Sequence, residues 1–422
     1  MYENFCGIDF GTTNSAVSVM SGNRPELIRF GNKDTIPTAV FFPEDKSGIL
    51  YGDSAINEYI SGGLGRFMRS IKRILGTDLM NVRTDVNGKL ISYEDIIFAF
   101  IKHLKETTEN KIQKPIVNVV MGRPVHFQDF APELDDKAES VLKKIARRAG
   151  FINVDFLYEP LAAAYSHEIA LESEKLACVV DIGGGTSDFS IIKLGGNKRQ
   201  DKNRQTDILA NDGMRIGGND FDFDLSVNCF MPQFGYGTQL KPDSYTNRIL
   251  PVPLSPYIML SEWSSVNTLY TYKEQKSVEQ IYKNAAEPEK VVNLYETVQK
   301  ELGHRLLNNI EKSKIWLTEQ KTIKSKLDFL MAKPEITVTV SDFEASIASN
   351  ANKIKAVLQG CIKQADVLSE QIDIVILTGG STAIPYIKRI FTGIFPNAAV
   401  SEAAKLSSVA TGLAYEAKRL YK

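Results

Sequence analysis

The sequence has few cysteines and no excess of charge of either sign. Its four cysteines form no CxxC pair, which excludes the common paired-cysteine zinc sites. Lysine and arginine total 50 against 51 aspartate and glutamate residues, so no overall field attracts nucleic acid or an acidic membrane surface. We therefore predict that neither is a partner, and the unpaired cysteines predict a reducing, cytoplasmic setting.

Long apolar runs are also lacking. None approaches the roughly 18–20 residues needed to cross a bilayer, and the N-terminus lacks the basic start of a secretory signal. Of the 422 residues, 43% are hydrophobic and 24% are charged, which is typical of a globular protein. At roughly 100–200 residues per domain, this length predicts two to four domains.

What the sequence does have is a glycine-rich pattern that occurs three times. An apolar run is followed by glycines and small hydroxyl side chains at Phe5–Ser15, Ala177–Asp188 and Ile374–Thr382. The first two copies carry matching aspartates, Asp9 and Asp181, which are 172 residues apart. This spacing is too long for a solenoid repeat and predicts a duplicated α/β domain.

The first two copies have the pattern of a β-hairpin whose tip binds phosphate. Glycines let the backbone come close to a ligand, and the N–H groups of Gly11–Thr13 or Gly183–Thr186 can surround phosphate oxygens. Alternating apolar residues after each tip predict the returning strand. No GxxxxGK[ST] loop is present. One copy alone would fit an ordinary hairpin equally well, but the repetition favours phosphate binding.

Between these motifs the hydrophobic pattern predicts several helices. They cover 92–111, 132–149, 161–172, 291–317 and 408–420. The polar segment 197–211 is expected to be a loop or a mobile hairpin, and 242–263 is expected to be irregular.

Five signatures, in order along the chain, resemble the actin-like ATPase superfamily and within it the nucleotide-binding domain of Hsp70 chaperones. They are GIDFGTTNS at 7–15, FLYEPLAAAY at 156–165, VVDIGGGTSDFSI at 179–191, RIGGNDFD at 215–222 and DIVILTGGSTAIPYIK at 373–388. Within that family the chain is most similar to the short YegD-type members. The resemblance implies an α/β, actin-like ATPase fold. It has two lobes, each with a duplicated ribonuclease H-like mixed sheet flanked by helices, plus peripheral subdomains.

The resemblance also implies the domain boundaries. Lobe I would cover 1–173, with a core at 1–35 and 114–173 and a peripheral subdomain at 36–113. Lobe II would cover 174–402, with a core at 174–225 and 334–402 and a peripheral subdomain at 226–333. A C-terminal helix at 403–422 would return to lobe I.

A Mg-ATP/ADP site follows from the same resemblance. The residues that would surround the β- and γ-phosphates are Gly11, Thr12, Thr13 and Asn14 from lobe I and Gly183, Gly184, Gly185 and Thr186 from lobe II. Asp9 and Asp181 would hold Mg²⁺, mostly through water, as suits a hard divalent ion.

Further residues of the implied site come from four other segments. Asp188 would be another carboxylate in the cleft. The segment Gly217, Gly218, Asn219 and Asp220 would close over the phosphates. Glu311 and Lys314 would hydrogen-bond the ribose, and Gly379, Gly380 and Ser381 would contact the adenosine.

Lys72 has two interpretations. Its surroundings, Phe67–Ile74, have the pattern of a plain amphipathic helix with arginines in water. The resemblance instead implies that Lys72 is the catalytic lysine, which stabilises charge on the transferring γ-phosphoryl and helps place the attacking water. Alongside Asp181, Glu159 would orient that water, and Thr186 would hydrogen-bond the water or the γ-phosphate.

The sequence also departs from the family pattern. Ile315 and Ala383 stand where the family has two arginines that sandwich the adenine by planar stacking, so tight ADP binding and the choice of adenine are both in question. The Val-Pro of the family's interlobe relay is reduced here to Pro124. The sequence ends at Lys422, before a client-binding β-sandwich and lid would follow, so we expect a protein without a peptide-binding domain.

We expect a monomeric, Hsp70-like protein that binds Mg-ATP and whose weak hydrolysis drives lobe closure. Closure has an effect only if a partner binds the two states differently, so a co-chaperone or client protein is expected, although the sequence does not identify it. Three alternatives remain open: a small-molecule kinase of the same superfamily, a filament-former, and a nucleotide-binding module without hydrolysis. The EPLAAA and GGNDFD signatures argue against the kinase.

Overall fold

A computed structural model describes residues 2–45, 48–129, 131–195, 204–243, 245–402 and 407–422. The chain forms two compact units. The first is Met1–Gly218 together with Lys353–Lys422, and the second is Asn219–Asn352.

Eighteen strands and twelve α-helices lie in the described residues. The strands are β1 (Tyr2–Asp9), β2 (Asn14–Ser21), β3 (Arg24–Leu27), β4 (Ile36–Pro37), β5 (Ala39–Pro43), β6 (Leu50–Tyr51), β7 (Gly65–Arg69), β8 (Arg83–Val86), β9 (Lys89–Ser92), β10 (Asn118–Arg123), β11 (Asn153–Tyr158), β12 (Lys175–Ile182), β13 (Ser187–Leu194), β14 (Ile208–Met214), β15 (Thr322–Lys326), β16 (Glu335–Thr339), β17 (Ile374–Thr378) and β18 (Ala399–Glu402). The helices are α1 (Gly52–Ile60), α2 (Tyr93–Ile112), α3 (Pro132–Arg148), α4 (Glu159–Glu168), α5 (Gly218–Leu225), α6 (Ser255–Leu260), α7 (Tyr272–Asn284), α8 (Pro288–Gln299), α9 (Gly303–Trp316), α10 (Val340–Gln364), α11 (Pro385–Ile394) and α12 (Ser408–Tyr421).

Two large mixed sheets in the first unit have the same topology. Starting from the equivalent edge, the strand order is β3-β2-β1-β10-β11 in one sheet and β14-β13-β12-β17-β18 in the other. In each sheet the first strand of the hairpin, β1 or β12, is antiparallel to the next strand and parallel to a later one. The duplication predicted from the repeated glycine motif is therefore confirmed, with Asp9 and Asp181 near the ends of equivalent strands.

A shared apolar core connects the two sheets. Helix α12 packs on the first sheet, and α4 packs on both α12 and the second sheet. The core includes Phe5 and Val120 from one sheet, Val179 and Ile376 from the other, and the alanines of both helices. Gly412 allows the close approach, because a Cβ there would collide with the backbone of Ala162 in α4.

The opposite side of the first sheet is covered by α2 and α3, whose apolar stripes join its core. A capping box begins α2: Ser92 Oγ accepts the Asp95 N–H at 3.2 Å, and the Asp95 carboxylate accepts the Ser92 N–H at 3.4 Å. Both helices were predicted, and both are confirmed. The smaller sheet β6-β5-β7, the hairpin β8–β9 and α1 lie between β4 and α2 along the chain.

The second unit consists of α6–α9, the hairpin β15–β16, most of α5 and the first half of α10. The prediction of one continuous helix over 291–317 is wrong. Helix α8 ends at Gln299 and α9 starts at Gly303, because Glu301 between them has a left-handed backbone with φ +55°. The apolar pattern of 291–317 continues across this break, so the periodicity of the sequence did not reveal the break.

The segment 197–211 was predicted to be a loop or a hairpin. Its end belongs to β14, which pairs antiparallel with β13 as in a hairpin, and residues 196–203 lie outside the described residues. The C-terminal helix is present from Ser408 to Tyr421. Residues 403–406, which were included in the predicted C-terminal segment, lie outside the described residues. The division into two lobes at residue 173 stays a prediction, and both large sheets belong to one compact unit.

Within the described part of the chain, every helix is too short or too polar to span a membrane.

Candidate functional site

The first glycine turn joins β1 to β2 and is fixed from outside by one threonine. Thr38 donates its backbone N–H to the Thr13 carbonyl oxygen and its hydroxyl to the Gly11 carbonyl oxygen, both at 2.8 Å. Ser15 Oγ lies 2.8 Å from the same hydroxyl. Gly11 has no room for a side chain, because a Cβ there would collide with the Asn14 carbonyl oxygen. The tip Gly11–Asn14 is thus held in one conformation.

The second glycine turn joins β12 to β13 and is held by residues of two other signatures, those at 215–222 and 373–388. The turn closes with a Gly183 N–H to Thr186 carbonyl bond of 3.0 Å. The Gly183 carbonyl oxygen accepts the Gly218 N–H at 2.9 Å and Ser381 Oγ–H at 3.1 Å. Three segments that are distant in sequence therefore meet at Gly183.

Glycine is required at two positions beside this turn. A Cβ on Gly217 would lie 2.7 Å from the Gly185 nitrogen. Gly379 has φ +77°, and a Cβ there would lie 2.6 Å from Asp181 Oδ1. Gly380 and Ser381 follow it in a 3₁₀ turn that also contains Ala383.

The two glycine turns meet each other. A Cβ on Gly185 would lie 2.7 Å from Thr12 Oγ1 and 3.1 Å from Thr12 Cγ2. Neighbouring Gly184 completes the second tip. The structure thus brings together the two motifs that the sequence predicts to bind phosphate from opposite sides.

Lys72 is buried and forms an ion pair with Glu159. It lies in a short 3₁₀ turn, Ile71–Ile74, and its side chain is 6% exposed. Its ammonium donates to Glu159 Oε1, and Glu159 is the first residue of α4. The interpretation of this segment as a plain amphipathic helix is therefore wrong: Phe67 belongs to strand β7, and the lysine points inward.

Four carboxylates share this environment with one ammonium. Burial raises the pKa of Asp9 to about 7, and the Glu159 charge adds to the rise. Burial and then Glu159 likewise raise the pKa of Asp188 to about 7, although hydrogen bonds from Thr186 and the Val125 backbone oppose the shift.

The pKa values of Asp181 and Lys72 are shifted as well. Burial, followed by the charges of Glu159 and Asp188, raises the pKa of Asp181 well above its usual range. Burial would lower the pKa of Lys72, but the charges of Glu159 and Asp9 outweigh it and hold the pKa above its ordinary value. Carboxylates outnumber cations here, so the site favours an added cation.

The donor set fits a magnesium ion held largely by water. Mg²⁺ prefers oxygen ligands and keeps several of its waters. Among the described residues, no three Asp, Glu, His or Cys side chains are grouped to hold one ion together. Asp9 and Asp181 supply carboxylate oxygens of the kind that Mg²⁺ prefers, and water can complete the shell.

Four of the predicted site residues belong to the second unit. Asn219 and Asp220 are in the first turn of α5, and Glu311 and Lys314 are in α9. Lys314 Nζ lies 2.8 Å from the almost fully buried Asp222 Oδ2.

Sequence reasoning missed two contacts that shape the site. Thr38 fixes the first turn, and Val125 donates its backbone N–H to Asp188 Oδ1 at 2.6 Å. Neither residue belongs to a glycine motif. Their roles depend on long-range contacts, and the Val125 contact uses only the backbone, so no pattern of residue types marks it.

Comparisons with known proteins show which family the chain is similar to. A family model described as "Hsp70 protein" matches residues 5–250 and 277–421. The chain is 26% identical over 417 residues to "Heat shock 70 kDa protein, mitochondrial" of Pisum sativum, covering 92% of this chain and 51% of the relative. It is 25% identical over 396 residues to "Chaperone protein DnaK" of Mycoplasmopsis synoviae, covering 92% and 53%. The chain thus spans about half the length of the curated relatives it matches.

Proposed function

Because the chain belongs to the Hsp70 protein family, we propose that it is a weak ATPase, which binds Mg-ATP in its first unit and hydrolyses it to ADP and phosphate. The actin-like ATPase fold implied by the sequence is confirmed. The observation that best supports the proposal is the meeting of the tips at Thr12 and Gly185, in the unit that also buries Lys72 and its carboxylates.

Phosphate binding is assigned to the two tips. Gly11–Asn14 and Gly183–Thr186 carry successive backbone N–H groups and hydroxyls, which suit phosphate oxygens. The carbonyl oxygens of Gly11, Thr13 and Gly183 already accept hydrogen bonds from within the protein. Their acceptor capacity is therefore partly used, and phosphate would meet mainly donors.

Asp9 and Asp181 would hold Mg²⁺, whose charge would offset that of the phosphates. Both carboxylates have raised pKa values because they are buried near other carboxylates. A divalent cation favours their ionised forms, so protonation and metal binding compete. Asp188 would contribute to the same field.

Hydrolysis would use the buried ion pair. An ammonium group has three N–H donors, so Lys72 can bond Glu159 and still donate to a γ-phosphoryl oxygen as charge develops there. The Glu159 carboxylate would accept a hydrogen bond from the attacking water and so orient it. Thr186 would hold the same water or the γ-phosphate.

Recognition of the nucleoside stays a prediction carried by the family resemblance. Glu311 and Lys314 are proposed to hydrogen-bond the ribose. Asn219 and Asp220 are proposed to close over the phosphates. Ile315, at 53% exposure, offers an apolar surface in place of a stacking arginine. We expect modest affinity for ADP and weak discrimination between bases.

The biological role is proposed to be related to that of the chaperones in this family. ATP hydrolysis would change the closure of the molecule, and a co-chaperone or client protein would respond to that change. We further propose a monomer in the cytoplasm, in keeping with the four free cysteines.

One sample can test the proposed activity. Calorimetric titration with ATP, ADP and GTP in the presence of Mg²⁺ measures binding, and phosphate release measures turnover. We expect Mg-dependent ATP binding with slow turnover. Binding without turnover would identify a nucleotide-holding module, and turnover strongly stimulated by one metabolite would identify a kinase. Sedimentation only above a critical concentration with ATP would identify a filament-former, and absence of binding would refute the proposal.

A further inference from the structure

Two side chains from distant segments hold the backbone around Lys72. Arg215 donates through Nη2 to the Arg73 carbonyl oxygen at 2.7 Å, and Gln128 donates through Nε2 to the Leu75 carbonyl oxygen at 2.8 Å. Arg215 Nη1 also donates to Gln128 Oε1 at 2.5 Å. We name this set, Arg73, Leu75, Gln128 and Arg215, the Arg215 clamp.

The Lys72 turn needs support of this kind. Its backbone bonds, Arg73 N–H to Ser70 and Leu75 N–H to Lys72, are both 3.1 Å long and of the 3₁₀ type, whose geometry is poorer than that of an α-helix. Ser70 before the turn has a left-handed backbone with φ +58°. Gly76 after it has φ +75°, and a Cβ there would lie 3.1 Å from Gln128 Cγ.

The backbone of Arg215 is held by Asp129, and its segment continues to the second phosphate tip. Its backbone N–H is bonded to both Asp129 carboxylate oxygens, at 2.9 and 3.2 Å. Two residues later, Gly217 lies directly against Gly185. One short segment therefore contacts the second tip through its glycine and the lysine turn through its arginine.

We infer that Arg215 is a positioning residue that sets the Lys72 ammonium relative to the second phosphate tip. This inference rests on the proposed ATPase function. A guanidinium suits the task because its planar array of donors reaches two acceptors at once. A small displacement of a catalytic group can greatly reduce a rate without affecting substrate binding. Loss of the clamp would therefore act on the hydrolysis step.

Single-turnover kinetics test this role. We expect Arg215→Met to slow ATP hydrolysis about tenfold while the ATP dissociation constant changes less than about threefold. Arg215→Lys keeps one donor group for this pair of acceptors, so its hydrolysis rate should lie between those of the wild type and Arg215→Met. Arg148→Met removes a surface arginine paired with Asp95 at 2.7 Å and should leave the rate unchanged. An unchanged rate in Arg215→Met would overturn the inference.

A double-mutant comparison separates positioning from general damage. When Lys72→Ala is already present, the additional Arg215→Met change should alter the rate less than about twofold, because the group it positions is gone. An equal fall in both backgrounds would show that Arg215 acts independently of Lys72 and would refute the role.

A second measurement does not depend on hydrolysis. Acylation of lysine amines, followed by peptide mass spectrometry, reports access to Lys72 relative to Lys144, whose side chain is 69% exposed. We expect Arg215→Met and Gln128→Leu to speed labelling of Lys72 at least about fivefold, and unchanged labelling would contradict the clamp. If the wild type lacks ATP turnover but its Lys72 labelling responds to these variants, the proposed function fails and the clamp stands. If Arg215→Met does not fold by circular dichroism, Arg215→Lys and Gln128→Leu provide the comparison.

Discussion

The Lys72 ammonium donates a hydrogen bond to Glu159, and both side chains are buried. The pair joins a 3₁₀ turn to the start of α4, across 87 residues of chain. Removing water from two charges is costly, and their attraction compensates fully only when the remaining donors also find partners. An ammonium has three N–H donors, so Lys72 could bond Glu159 and also donate to an oxygen of a γ-phosphate.

Lys72→Ala tests that interpretation. Without the ammonium, hydrolysis should fall on the order of a hundredfold or more, as for loss of one charge-stabilising donor. ATP binding should change only a few-fold, because both backbone tips remain. Single-turnover rates and calorimetric affinities measure the two effects. Lys144→Ala, a surface lysine, serves as the control, and normal hydrolysis by Lys72→Ala would return the lysine to a structural role.

Asp181→Asn is expected to abolish Mg-dependent ATP hydrolysis. The amide keeps the shape of the side chain but removes the charge that attracts the metal ion. It also removes repulsion between neighbouring carboxylates, so the variant should be folded and at least as stable as the wild type. Asp328→Asn, at an exposed site, is the control. Unchanged single-turnover rates in Asp181→Asn would refute its catalytic assignment.

The parts of the site that sequence could predict are local. In Gly11–Asn14 and Gly183–Thr186, a few adjacent residues determine a turn, and both turns have the expected form. Their duplication also predicted the two equivalent sheets. That the two tips surround the same phosphates was implied by the family resemblance, and the close approach of Thr12 to Gly185 was not predicted.

The parts that could not be predicted depend on contacts between distant segments. The pattern around Lys72 fits an amphipathic helix, but strand β7 pairs with β5 and uses Phe67 as a strand residue. Helix periodicity likewise continued through Glu301, because one left-handed residue changes the direction of the backbone without changing the apolar spacing. Thr38 carries no motif, since its role is to bond the carbonyl oxygens of a turn far away in sequence.

Binding of Mg-ADP should release protons near neutral pH. Asp9 and Asp188 have pKa values of about 7, so each is roughly half protonated there in the metal-free protein, and a cation favours the ionised forms. Calorimetry in two buffers of different ionisation enthalpy should detect net proton release at pH 6.5. Asp9→Asn should reduce the release. Equal heats in both buffers at pH 6.5 would contradict the raised pKa values.

The same shifts predict how stability of the metal-free protein depends on pH. A carboxyl whose pKa is raised on folding stabilises the protein at low pH, and this contribution is lost as pH rises through the folded-state value. The urea midpoint without metal should therefore fall between pH 6 and pH 8. Addition of Mg-ADP should restore more stability at pH 8 than at pH 6.

His126 should stabilise the protein in acid. Its Nε2 lies 3.6 Å from Asp212 Oδ1 and its Nδ1 lies 3.3 Å from Asp135 Oδ2. The close approach of the Asp212 carboxylate, then the hydrogen bond with Asp135, raises its pKa against the opposing effect of burial. The stabilisation is complete below the ordinary histidine pKa and disappears as pH rises through the raised value.

Urea unfolding of His126→Gln at two pH values measures this effect. The variant should be less stable than the wild type at pH 5.8 and nearly equal to it at pH 8. His167→Gln is a control of opposite sign, because burial lowers the pKa of His167. This replacement should therefore increase stability most at acid pH. A loss of stability in His126→Gln that does not depend on pH would rule out the charged contact.

Gly185→Ala should separate the two phosphate tips. The added methyl would lie 2.7 Å from Thr12 Oγ1, and Thr12 is β-branched and therefore cannot easily rotate away. We expect Mg-ATP affinity to fall at least about tenfold, because a shift of a few tenths of an ångström breaks the alignment of both donor sets. The matched control is Gly393→Ala in α11, where a Cβ would meet no heavy atom within 4 Å and alanine is the better helix former. If Gly185→Ala binds Mg-ATP as the wild type does, the two tips do not hold the phosphates together, and the central observation behind the proposed function loses its meaning.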